Sequence, residues 1–290
     1  MYIKDFIDEN IVKKIVGSNN NTILLLTEMS KQVNIPELSV YKKTQLVKEA
    51  KKLVVKYWDY DICKDILRKL FEKSDKYNSG KNGEQAIQIL IEEWENLGLG
   101  KISWPFSQGQ FDAFVQTLNS SKIIRTEKDE KVKDAALKYR RLKEINTVRN
   151  DYLETLIFDK NPDIMPTFTN SLNVDFFING YSFDQKVSRS CTKQFVEDYG
   201  ENWKEIASQN PSKVAEYLYR LQDEGRFDAD PRLYIVYLDE DISILDLKHK
   251  IQEIDFSTPL EITFDYNSGK GTNKKIITYK TRCFVIMLAK

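Results

Sequence analysis

Residues 173–189 read NVDFFINGYSFDQKVSR. Two short runs, aromatic and β-branched, stand on either side of Asn179-Gly180. Asn-Gly accepts the positive φ of a tight turn, so the stretch predicts a β-hairpin. It also marks a change of period along the chain. Downstream, helical text runs over 193–225, and RLYIVYLD (232–239) reads as an apolar strand of the buried kind. ISILDLKHKIQEI (242–254) predicts a helix. LEITFDY (260–266) and IITYKTRCFVIML (276–288) predict strands around the loop NSGKGTNKK. The order helix, hairpin, helix, strand, helix, strand, strand describes a mixed β-sheet flanked by helices, an α/β fold, α+β overall.

Upstream of the hairpin the text is helical. Gly numbers only 11 and Pro only 7, so breakers are few. Over 44–57, TQLVKEAKKLVVKY puts Leu46, Val47, Ala50, Leu53, Val54 and Tyr57 on one face, with lysines opposite. Residues 84–97 and 107–119 predict two more helices, the first ending before Gly98. RTEKDEKVKD (125–134) reads as a hinge or as the start of the next helix. One long helix is expected over about 131–158. The expected division is a helical recognition or accessory region over 1–128 and a catalytic domain over 129–290.

The chemistry of the hairpin lies in its carboxylates. Strand side chains alternate, so Asp184 and Lys186 project from one face, and the turn returns Asp175 toward them. Two converging carboxylates repel unless a cation lies between them. Mg²⁺ takes oxygen ligands and keeps several waters. A neighbouring lysine can orient an attacking water and stabilise charge on a phosphate. Metal-assisted phosphodiester hydrolysis needs these groups and no histidine. Without a metal, the same residues would be a surface hairpin with a solvated Asp-Lys pair.

In DFFINGYSFDQKVS (175–188) the chain resembles the PD-(D/E)xK nuclease superfamily, specifically bacterial type II restriction endonuclease-like proteins. NPSKVAEYLYRLQDEGRF (210–227), followed by PRLYIVYLD (231–239), is similar to later text in such proteins. The resemblance covers about residues 140–288, roughly half the chain. It implies a restriction-endonuclease-like core. Asp175 and Asp184 would hold Mg²⁺, with Mn²⁺ as a substitute, and Lys186 would assist the nucleophilic water. A Glu from the preceding helix often joins such a site. Glu154 in RNDYLETLIF is the best match by position, with Glu144 behind it. The resemblance further implies double-stranded DNA as substrate, sequence-specific cleavage, a homodimer and a cognate DNA methyltransferase in the same system. Two departures stand out. No Pro precedes Asp175, although Pro162-Asp163 lies upstream, and Gln185, the middle residue, either faces away or assists.

Composition narrows the alternatives. The chain has 290 residues, 41% of them hydrophobic and 12% aromatic, as expected of a globular protein. Its single histidine, His249, excludes sites that need two histidines, and its charged helical context suggests a solvated residue. Cys63, Cys191 and Cys283 are odd in number and suit no zinc knuckle or disulfide framework. MYIKDFIDEN carries no secretory pattern, and no apolar run approaches a bilayer span, so a cytoplasmic protein is expected. GKGT (269–272) lacks the context of a phosphate loop, and no G-x-S-x-G or Rossmann pattern occurs.

Lys+Arg and Asp+Glu number 44 each, so contact with a polyanion requires a local basic patch. The densest patch contains Lys42, Lys43, Lys48, Lys51, Lys52 and Lys56, against Glu49. Its helix, loop, helix text weakly resembles a SAP-type or helix-turn-helix module, and fits a solvated amphipathic helix equally. Ser188 and Arg189 read as phosphate contacts or strand-end polarity, and Gln222 and Arg226 as DNA contacts or helix capping. KISWPFSQGQFDAF (101–114) reads as core rather than a base-stacking platform. The expectation is a metal-dependent endonuclease. The alternatives are a DNA-binding protein with a degenerate nuclease-like core and an unrelated α/β interaction protein.

Overall fold

The computed structural model describes residues 2–102, 108–169, 174–221, 230–239, 242, 244–268 and 275–290. It is a mixed α/β protein with one six-stranded mixed sheet flanked by helices and a helical N-terminal region. Two compact units form, one of Met1–Glu72 with Ile157–Lys290, the other of Lys73–Leu156. The expected boundary between residues 128 and 129 falls inside a helix instead. The first 72 residues belong with the sheet, because their apolar faces share one core with Met165, Val174 and Phe177.

The larger unit begins with helices α1 (Glu9–Val16), α2 (Asn19–Met29), α3 (Glu37–Val40), α4 (Lys43–Lys56) and α5 (Tyr60–Phe71). Side-chain caps start three of them. Asp8 accepts from Ile11 N, Ser18 from Asn21 N and Asp59 from Ile62 N. In α4 the predicted apolar face is realised, with Ala50, Leu53 and Val54 buried. The smaller unit holds α6 (Asp75–Lys81), α7 (Gly83–Asn96), α8 (Gln108–Ser120) and most of α9 (Arg125–Lys160). Trp94, Leu99, Leu142 and Ile145 form its core. The stretch 125–134 is the first part of α9, not a hinge.

The sheet comprises β1 (Ile164–Pro166), β2 (Phe176–Ile178), β3 (Tyr181–Ser188), β4 (Arg232–Tyr237), β5 (Leu260–Ser268) and β6 (Lys275–Leu288). Its order is β1-β2-β3-β4-β6-β5. Neighbours β1–β2, β2–β3 and β5–β6 are antiparallel, whereas β3–β4 and β4–β6 are parallel. Helices α10 (Lys193–Tyr199), α11 (Trp203–Gln209) and α12 (Pro211–Arg220) connect β3 to β4, and α13 (Ile244–Gln252) lies between β4 and β5. Residues of α10–α12 pack with Tyr234, Val236 and Cys283 on one face of the sheet. On the other, Phe284 meets Phe183 and Phe256 at 5.1 and 5.3 Å between ring centres. With both faces covered, Leu233–Val236 are all buried, which is why β4 is apolar at successive positions.

The hairpin forms as its sequence dictates. Asn179 and Gly180 have φ of 52° and 84°, and Ile178 pairs with Tyr181 across the turn. The N-terminal segment closes over it. Ile3 N donates to Gly180 O at 2.9 Å, and Trp58 Nε1 donates to Ile3 O at 3.0 Å. A Cβ at Gly180 would approach Lys4 Cγ to 2.7 Å, so glycine is needed there for space as well as for φ.

Candidate active site

The predicted acidic residues both lie where β3 changes partners. The β2–β3 ladder ends at Phe176–Phe183, and the β3–β4 ladder starts at Asp184–Arg232. Asp184 is therefore the first residue of β3 beyond its antiparallel neighbour. Its backbone N donates to Pro231 O at 3.2 Å, toward β4. Backbone N–H groups alternate in direction along a strand, so that of Gln185 points to the side that β2 has left.

Asp175 fills that opening. Its backbone N donates to Phe183 O at 2.9 Å, and its Oδ2 accepts from Gln185 N at 2.6 Å. The second acidic residue is oriented by its own strand. Asp184 is 5% exposed, and Lys186 Nζ lies 2.9 Å from its Oδ1 and 2.8 Å from its Oδ2. Burying a carboxylate is costly unless it is paired, and Lys186 supplies the pairing while remaining half-exposed itself. The strand period of two makes this geometry possible.

Two residues of β4 border the pair, and sequence reasoning did not select either. Arg232 is the Cα partner of Asp184, and Tyr234 that of Lys186. Tyr234 is buried against the edge of the Tyr219 ring, 5.3 Å between centres. Burial holds its hydroxyl well above the usual tyrosine range, so it is a neutral donor at ordinary pH. The available signal was Arg232 and Tyr234, spaced i and i+2 at the start of a largely apolar strand.

Other predicted residues have surroundings of their own. Glu154 and Glu144 belong to the smaller unit, where Glu154 Oε2 pairs with Lys76 Nζ at 2.6 Å and Glu144 with Arg140 at 3.1 Å. Ser188 Oγ donates to Ser190 O at 2.6 Å, and Arg189 is exposed just past β3. Lys42, Lys43, Lys48 and Lys52 are exposed at or on α4, with Lys51 half-buried. Lys52 pairs with Glu49 at 3.1 Å and Lys56 with Glu37 at 2.6 Å. His249 is exposed on α13, as its context suggested. All three cysteines are buried, and burial pushes each thiol up to about 12. Gln222, Arg226, the GKGT loop and the text around Trp104 lie outside the described residues.

The donor chemistry suits a hard cation. Asp175 and Asp184 offer oxygen only, which favours Mg²⁺ or Mn²⁺ over zinc or copper. The ammonium on Asp184 shows that this carboxylate accepts a cation at contact distance. Among the described residues no group of three or more His, Cys, Asp or Glu side chains is disposed to hold a metal, so two carboxylates would be supplemented by water. No protein-family model, curated protein or solved structure matches the chain.

Proposed function

We propose that this protein is a Mg²⁺-dependent endonuclease of double-stranded DNA, of the sequence-specific type II restriction kind, on a restriction-endonuclease-like core. One observation carries the reading. The hairpin places the Asp175 carboxylate at the backbone of Gln185, between Asp184 and the lysine that contacts it, where β3 leaves β2. Asp175 and Asp184 would hold Mg²⁺, with Mn²⁺ able to replace it. The bound ion supplies Lewis-acid polarisation of the phosphate and a more acidic water. Asp175 is oriented for this role by the Gln185 N–H. Lys186, on a half-exposed stem, orients the attacking water and balances charge on the phosphorane oxygens. Lys42, Lys43, Lys48, Lys51 and Lys52 would supply phosphate contacts on the duplex, with Ser188 and Arg189 next to the scissile bond.

Two-fold cleavage of a symmetric site favours a homodimer. A cytoplasmic location and a cognate methyltransferase complete the restriction proposal. The test is plasmid cleavage by the purified full-length chain. Nicking or cutting in Mg²⁺ is expected, with loss in EDTA and in Asp184→Ala, and a discrete fragment pattern on phage DNA. Undiminished cutting by a folded Asp184→Ala protein would overturn the assignment. The pairing of Glu154 with Lys76 favours a second reading, a DNA-binding protein whose core lacks a third carboxylate and does not cut. Gel shifts without cleavage in any divalent metal would select it.

A further inference from the structure

Among the described residues, five buried side-chain atoms have no hydrogen-bond partner: Tyr60 Oη, Arg141 Nε, Gln185 Oε1, Arg232 Nε and Tyr234 Oη. Three of the five flank the candidate site. Buried polar atoms are partnered in the great majority of cases, so each exception requires a cause, such as a ligand that completes it. Gln185 points to the opposite face of the sheet from Asp184, because strand side chains alternate. Arg232 and Tyr234, by register, share the face of Asp184 and Lys186.

We propose that Arg232 and Tyr234 form a phosphate-binding subsite beside Asp184, taking a phosphodiester oxygen of nucleic acid. That the phosphate belongs to DNA rests on the nuclease reading; that an anion binds here does not. Arg232 is the contacting group. Its planar guanidinium matches a phosphate edge, and the Tyr219 ring, 5.8 Å from its centre, walls one side. Tyr234 is only 1% exposed, so it cannot reach a duplex directly. It is a positioning residue. Its hydroxyl lies within reach of the Arg232 side chain, without closing a hydrogen bond, and in the field of Asp184.

Charge gives the subsite its condition. Asp175, Asp184, Lys186 and Arg232 sum to zero formal charge. A divalent cation on the two carboxylates leaves two net positive charges facing the phosphate. Cation and anion must therefore strengthen each other's binding, by equal factors in both directions. Without the cation, the carboxylates largely cancel the attraction of Arg232 and Lys186.

The experiment uses the full-length protein with Arg232→Lys and Tyr234→Phe, both close in volume to the native side chains. Thermal unfolding is followed in inorganic phosphate against chloride at matched ionic strength, with and without Mg²⁺. In parallel, a short labelled duplex DNA is titrated by fluorescence anisotropy at several salt concentrations. Phosphate should raise the wild-type midpoint, and more so with Mg²⁺. Arg232→Lys should weaken both phosphate and duplex at least about tenfold, as expected when a bidentate charge-assisted pair is removed. Tyr234→Phe should weaken both by about threefold, as expected when the hydroxyl that steadies Arg232 over the phosphate is removed. A purely structural role would lower the midpoint of a variant and leave its phosphate response unchanged, and that result in both variants would overturn the subsite. If the phosphate response depends on Arg232 but duplex is neither bound nor cut, the subsite stands and the nuclease reading falls. If cutting depends on Asp184 while both variants keep the full phosphate response, the nuclease reading stands and the subsite falls.

Discussion

The Asp175 carboxylate accepts the backbone N–H of Gln185 at 2.6 Å, across the point where β2 and β3 part. One side chain thus replaces the next rung of the ladder. It satisfies a strand donor that would otherwise be open, and it fixes the carboxylate of a bend residue just before β2 at the backbone next to Asp184. The candidate site is in this sense a continuation of the sheet.

Lys186→Met should stay folded at a cost in stability, because the buried Asp184 carboxylate loses its cation, and reduce cleavage by about 10²- to 10⁴-fold, the range associated with a positioned proton-transfer group. Asp184→Asn should abolish cleavage while changing stability by no more than about 1 kcal/mol, because Lys186 is half-exposed and its pairing is screened. Single-turnover cleavage with urea unfolding of the same preparations checks both. Equal loss of activity and stability would mean that the pair serves the fold alone.

Gly180→Ala combines a φ of 84° with a 2.7 Å approach of the new methyl to Lys4 Cγ. The strain should cost roughly 1–3 kcal/mol, partly relieved by the flexible lysine stem. Lys4→Ala in the same chain should recover most of the steric part of this cost and leave the φ part, with the Tyr2 ring still 3.1 Å from the new methyl. A double-mutant cycle by chemical denaturation reads the difference.

Arg68 holds the C-terminal end of α9 to the start of the sheet. Its guanidinium donates to Ile164 O at 2.8 Å, Asn161 O at 3.0 Å and Phe158 O at 3.4 Å, and lies 4.0 Å from the Phe158 ring centre. Arg68→Ala should destabilise the protein by about 2–3 kcal/mol, since several half-buried carbonyls are deprived of a charged donor together. Lys52→Ala, which breaks an exposed pair with Glu49, should stay within about 0.5 kcal/mol. Denaturation midpoints of the two variants should differ accordingly.

Stability should fall in alkali. Burial pushes the Cys63, Cys191 and Cys283 thiols up from 9.0 to about 12, and the Tyr60 hydroxyl from 10.0 to about 12. Folded-state values above unfolded ones favour the protonated forms in the native protein. The contribution is complete below about pH 9 and is lost progressively as pH rises toward 12. Unfolding midpoints across this window check the slope. A thiol reagent at pH 8 should label the native chain slowly and three cysteines once it unfolds.

If α4 contacts DNA, substituting Lys43 and Lys48 by Ala should weaken duplex binding uniformly across sequences. The slope of log affinity against log salt should shrink by about one for each phosphate that the variant no longer neutralises. Unchanged slopes would place the duplex elsewhere on the protein.

Much of the architecture is legible in the residues. Asn179-Gly180 announces the hairpin, because few residues accept positive φ at two successive positions. RLYIVY announces a strand covered on both faces, and the lysine stripe of α4 its exposed side. The expected division at residue 128 falls inside α9 because charge density marks solvent exposure, and a solvated helix is as charged as a linker. That the first 72 residues share a core with Met165 and Phe177 depends on apolar surfaces a hundred positions apart, which no local pattern encodes. The short strand β1 escapes notice because three buried residues carry too little periodicity to register.

The inventory at the candidate site is written in the residues themselves: two carboxylates and a lysine on a tight hairpin, in a chain whose single histidine suits no His-based metal site. Alternation along β3 is enough to put Asp184 and Lys186 on one side. What surrounds them follows from tertiary packing alone. Strand order brings Arg232 and Tyr234 beside them, since a parallel neighbour is reached through some forty residues of intervening chain. Packing likewise commits Glu154 to Lys76. The physical reason is range: a period of two residues is written locally, whereas the choice of sheet partner depends on which distant apolar surfaces bury one another.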